Sequence, residues 1–130
     1  MDIVLIVFVI IIFIAIFLIF KFKKRYKVSQ AKKIFFNEQL KKILSYNSYK
    51  GQIIDLDKLY HKILLEAGYI GTFGEILKQE PSEIADLQKI WELHKIRNKL
   101  VHDFDNTSDK ILKDYSVSYI VEIKKLLNNF

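Results

Sequence analysis

The chain has 130 residues and a mass of 15.4 kDa, 51% hydrophobic and 28% charged, enough for one small domain and too apolar for a disordered segment. One Pro and four Gly argue against collagen-like, linker-rich and turn-dense all-β chains, and the lack of Cys excludes a disulfide framework or a thiolate metal site. The formal charge of +6 is unevenly spread: seven of the 21 basic residues lie between Lys21 and Lys33, while Ile34 to Phe130 carries 14 basic and 14 acidic residues, so the high pI is no sign of a nucleic-acid-binding surface.

Ile3 to Phe20 are eighteen consecutive apolar residues, which as a helix span roughly 27 Å, close to a bilayer core. The Met1-Asp2 start, the length of the run and the following Lys21-Phe22-Lys23 do not fit a cleavable signal peptide. They predict a single transmembrane anchor over residues 1–22, with membrane lipid as its partner. Lys21, Lys23, Lys24, Arg25 and Lys27 then place the following chain in the cytoplasm and the N-terminus outside, as a single-pass protein of the cell membrane; they also suit anionic lipid head groups. The run holds no Gly, Ser, Thr or ionisable residue, so it reads as a tether rather than a pore, transporter or GxxxG dimer.

Residues 23–50 read as a basic juxtamembrane segment and a Lys-rich helical stalk from Val28 to about Tyr46, closed by a turn at Asn47-Ser48-Tyr49-Lys50-Gly51. In the remaining domain, 51–130, Ile53, Leu56, Tyr60, Ile63, Leu64 and Ala67 recur at helical spacing, and Gly68 and Gly71 end that helix. Thr72-Phe73-Gly74-Glu75 fits a capping box for a short helix stopping near Gln79. Pro81 suits the first turn of the next helix, expected over Ser82–His102. Asp103 to Asp109 is a polar connection, and Leu112, Tyr115, Tyr119, Ile123, Leu126 and Leu127 line one side of a last helix. No alternating run suggests a strand. The expected fold is all-α, a small bundle whose core is marginal alone, so that a dimer would help.

The helix ending at His102 carries the chemistry. At about 100° per residue, Leu87, Ile90, Leu93, Leu100, Val101 and Phe104 share an apolar arc, opposite Lys89, Glu92, Lys95, Lys99 and Asp103. Arg97 falls mid-arc, with His94 beside it, and Asn98 and His102 lie one turn apart along its edge. A guanidinium there needs a carboxylate, backbone carbonyls, a second subunit or an anionic ligand. His94 and Trp91 read as core or boundary residues and His61 as a solvated one. Arg97 and His102, five residues apart, diverge by about 140° on a regular helix, so one cleft would need a kink or a second subunit.

Arg97-Asn98-Lys99-Leu100-Val101-His102 resembles the R-x4-H signature of HEPN domains, with the Asn after the Arg that is frequent in that superfamily. The Gly68–Glu75 run and Trp91-Glu92-Leu93-His94-Lys95-Ile96 are also similar to segments of membrane-anchored proteins from small-genome candidate-phylum bacteria. The resemblance covers roughly Gly51 to Phe130 and implies a HEPN-like helical bundle, commonly a homodimer with motif residues of two subunits facing across a cleft. It further implies a metal-independent endoribonuclease, with no cofactor. His102 would then be the general acid/base, Arg97 would stabilise charge on the phosphate, and Asn98 would orient His102 or the phosphate. Phe104 stands where some members carry a modifiable Tyr.

Gly68, Gly71 and Gly74 match neither a dinucleotide fingerprint nor a P-loop, and there is no H-E-x-x-H or nucleophile-elbow motif. Two functions are expected: engagement of RNA or nucleotide through Arg97, Asn98 and His102, with cleavage as its strongest form, or a non-catalytic membrane-tethered interaction or dimerisation module in which Arg97 is architectural.

Overall fold

A computed structural model describes residues 3–22, 26–102 and 106–130, without the side chains of 20–22. Six helices and no strand occur among the described residues: α1 (Ile3–Phe22), α2 (Gln30–Leu44), α3 (Tyr49–Ala67), α4 (Phe73–Lys78), α5 (Leu87–His102) and α6 (Asp109–Asn129). The all-α expectation holds.

The transmembrane expectation does not. Among the described residues no helix is long and apolar enough to cross a membrane. That finding covers α1, whose side chains are described from Ile3 to Ile19. The run of eighteen counted from the sequence reached Phe20, whose side chain lies outside the described ones. The single-pass cell-membrane localisation, with the N-terminus outside and the rest cytoplasmic, is withdrawn with the anchor. Lys23, Lys24 and Arg25, the Lys21 side chain, Asp103 and Phe104 also lie outside the described residues.

The bundle is built around α3, which packs against α2, α5 and α6. α2 is a side of this bundle as well as the Lys-rich helix expected: Phe36, Leu40 and Ile43 are buried against α3. Ser29 caps it by accepting the Lys32 N–H. The approach to α2 is tied down too, through Lys27 N–H to Ala67 O, buried Val28 and the Tyr26 ring stacked 3.7 Å from Tyr69.

α3 begins earlier than expected, because Ser48 caps it by accepting the Gly51 N–H and takes Tyr49 to Gly51 into the first turn. It ends at Gly68, whose φ of 114° is a left-handed cap open to glycine at little cost, with Tyr69 N–H returning to Leu64 O. The capping box is present: Thr72 Oγ1 accepts Glu75 N–H at 3.3 Å and Glu75 Oε2 accepts Thr72 N–H at 2.8 Å. Hydrogen bonds to the carboxyl from Thr72, its backbone N–H first and then its side chain, hold Glu75 below its usual range.

α5 starts at Leu87 rather than Ser82. Ile84 N–H returns to Pro81 O in a turn, and Asp86 Oδ1 then accepts Lys89 N–H at 2.9 Å as the cap. The intervening segment is pinned by its side chains. Ile84 is buried, Tyr69 donates to Glu83 Oε2 at 2.6 Å, and Asn129 donates to Glu83 O at 2.7 Å.

Candidate functional site

α3 carries Asp57 on its buried face, four residues after Ile53 and three before Tyr60, with only 4% of its surface exposed. A carboxylate in that position is costly unless every lone pair finds a donor. Three helices supply them. From α5, His94 Nδ1 lies 2.8 Å from Asp57 Oδ1; from α6, the Tyr119 hydroxyl donates to the same oxygen at 2.5 Å. Arg97 Nε lies 3.6 Å from Oδ2, an ion pair without a formed hydrogen bond. The network continues along α5, where Arg97 Nη1 donates to Asn98 Oδ1 at 2.9 Å and Asn98 Nδ2 lies 3.4 Å from His94 Nε2. Asp57, His94, Asn98 and Arg97 thus form a closed polar ring.

The ring dictates its own protonation pattern. A carboxylate only accepts, so the Asp57 contact is made by an N–H on His94 Nδ1, and the Asn98 amide N–H faces Nε2. Burial, then the Asp57 charge and hydrogen bond, push the Tyr119 hydroxyl well above its ordinary range, outweighing the opposite pull of Arg97. It remains a donor. The His94 ring meets the edge of Phe73 at 4.7 Å and lies 6.4 Å from Trp91. The site is not sealed: the His94 and Arg97 side chains are 15% and 24% exposed.

The expected residues divide. Arg97 and Asn98 come together, and the carboxylate that Arg97 required is Asp57. His94 is a boundary residue, as expected, but also the hydrogen-bond partner of that carboxylate. His102 is exposed on the last turn of α5, and no bond joins it to Arg97, Asn98 or Asp57 among the described residues. Asn98 therefore orients His94 rather than His102. His61, expected to be solvated, is half-buried: Nε2 lies 3.0 Å from Gly71 O and its ring stacks on Phe73. Asp57 and Tyr119 went unrecognised as site residues. The signal for Asp57 was present in its place on the apolar arc of α3, the same signal that singled out Arg97.

A second polar set sits deeper. Ser116 donates to Gln52 Oε1 at 2.7 Å, and Gln52 Nε2 donates to Tyr46 O at 3.0 Å. Glu122 Oε1 takes Lys125 at 2.8 Å, while Glu122 Oε2 and the Tyr60 hydroxyl are buried without a hydrogen bond among the described residues. Burial, then the Glu122 charge, raise Tyr60 far above the usual phenol range. Among the described residues no three His, Cys, Asp or Glu side chains converge to hold a metal ion.

No family model, curated protein or solved structure matches the chain. The site is therefore read from its own geometry and from the motif resemblance.

Proposed function

We propose that this all-α chain engages the phosphate of RNA or a nucleotide at the Arg97 end of the polar ring. The observation that carries the reading is the state of Arg97. Its guanidinium is steered by Asp57 and Asn98, with Nε buried on the Asp57 side, while about a quarter of the side chain faces solvent. Planar donors held this way match a phosphate oxygen pair better than a water-filled surface does. The HEPN-like motif agrees with this chemistry and adds its strongest form, metal-independent endoribonuclease action. His102 lies away from Arg97 within one chain, so its participation requires the partner of a homodimer.

The test is binding of a fluorescent oligoribonucleotide and of a nucleoside monophosphate to the full chain and to Arg97→Ala. Loss of binding by at least about tenfold with an intact thermal transition supports the reading; unchanged binding, or none by the parent, ends it.

One observation favours a second reading, a non-catalytic interaction or dimerisation module. From Ile34 to Phe130 the acidic and basic residues balance, whereas a grip on long RNA gains from excess positive charge. In that case Arg97 serves the fold, and Arg97→Ala loses several kcal/mol of stability, about what breaking a buried pair costs.

A further inference from the structure

We propose that His94, oriented by Asp57, is the proton-transfer group of the Arg97 site, in place of the motif histidine His102. The inference rests on the RNA reading and deepens it. Three features of the ring carry it. Asp57 Oδ1, itself fixed by Tyr119, holds His94 Nδ1 at 2.8 Å, which sets the tautomer and leaves the Nε2 lone pair as the base. His94 and Arg97 are three residues apart on α5 and so share a face, whereas His102 points elsewhere. The only bond Nε2 makes among the described residues is the 3.4 Å one to Asn98, the longest hydrogen bond in the ring and the one an incoming hydroxyl replaces.

The chemistry that fits is internal transesterification of an RNA phosphodiester. His94 Nε2 takes the proton of the ribose 2′-hydroxyl. The 2′-oxygen forms a bond to phosphorus as the bond from phosphorus to the 5′-oxygen breaks. The leaving oxygen takes a proton from water, and the imidazolium returns its proton to solvent. Arg97 stabilises the charge gathering on the non-bridging phosphate oxygens. The products are a 2′,3′-cyclic phosphate and a free 5′-hydroxyl, with nothing oxidised or reduced. A 2′-deoxy nucleotide at the scissile position leaves no proton to transfer and is not cut.

The groups facing His94 are Asp57 from α3, Tyr119 through Asp57 from α6, Arg97 and Asn98 from its own helix, and the uncharged Phe73 of α4.

The experiment measures cleavage of a short oligoribonucleotide, and of the same oligomer with a single 2′-deoxy position, by the full chain in the presence of a chelator. His94→Gln, which keeps a donor toward Asp57, His94→Ala with and without added imidazole, and exposed His102→Gln are compared. The expected result is a rate loss of about 10²- to 10⁴-fold in both His94 variants, with RNA affinity retained, and partial rescue of His94→Ala by imidazole. His102→Gln stays within about tenfold of the parent. A purely structural His94 would show no imidazole rescue, and that result overturns the assignment. Should both His94 variants unfold, His102→Gln still decides, because loss of cleavage there returns the role to His102. A parent that binds RNA without cutting it removes the assignment and leaves the binding reading; a parent that does neither removes both.

Discussion

Asp57 is the residue on which the site depends. Its two oxygens gather donors from α5 and α6, and removing it strands Arg97, Tyr119 and His94 together. Asp57→Ala is expected to cost about 3–5 kcal/mol, the range for a broken buried ion pair, measured by urea unfolding. Tyr119→Phe loses one hydrogen bond and leaves an acceptor short, which costs about 1–3 kcal/mol. The two losses should be strongly non-additive in a double-mutant cycle, because they share one oxygen. The tyrosines also set an alkaline limit. Tyr119 and Tyr60 both have folded-state pKa values raised by burial. The unfolded chain therefore gives up their protons first, above about pH 10, and stability present below that pH is lost as pH rises further. Tm measured between about pH 9 and 11 should fall, and fall less steeply in Tyr119→Phe. Glu75 acts oppositely. Its lowered carboxyl contributes above the unfolded value near 4.3, and that contribution fades as pH drops through the folded one.

At the scale of elements, helix boundaries set by near neighbours are legible and those set at a distance are not. Gly68 and the Thr72–Glu75 box were legible because each needs only its neighbours: a left-handed φ in one case, two short-range bonds in the other. The start of α5 was not legible, because Ser82 and Asp86 are both good caps and Pro81 suits a first turn. The choice is made at a distance, by Glu83 held to Tyr69 and Asn129 and by Ile84 in the core. Asp86→Ala should therefore destabilise by about 1 kcal/mol in thermal denaturation, while Ser82→Ala should be close to neutral. The candidate site shows the same division. Arg97 and Asn98 were legible as a motif on one helix face. Their partners Asp57 and Tyr119 were not, because Asp57 lies 37 residues from His94 and 62 from Tyr119 along the chain, and no local period reports such a meeting.

For the whole molecule, the core among the described residues begins at Val28 and ends at Leu127, and no described side chain of α1 belongs to it. The large apolar side chains described on α1 are 41–79% exposed, so α1 adds apolar surface without adding to this core. Removing residues 1–25 should leave the thermal midpoint of the bundle within about 2 °C and raise solubility, read by circular dichroism and light scattering; a collapsed transition would show that α1 is part of the fold. The opposite loss is expected for a chain lacking α2, whose Phe36, Leu40 and Ile43 cover α3; at roughly 1.5–3 kcal/mol for each fully buried side chain, their removal takes away an amount comparable to the whole stability of a small domain. This is where the reading of residues 23–50 as a stalk misses most: the Lys-rich face drew attention, and the weak apolar stripe behind it does the packing.

The chain has one tryptophan, and its place is informative. Trp91 stands edge-on to His94 at 6.4 Å, with its ring tip close to Gly74. An excited indole loses its emission by electron transfer to a protonated imidazole and keeps it beside a neutral one. The molecule thus contains an optical probe of the state of its own histidine, with no label attached. A ligand that seats on Nε2 should change the Trp91 emission, and that change should be absent in His94→Gln.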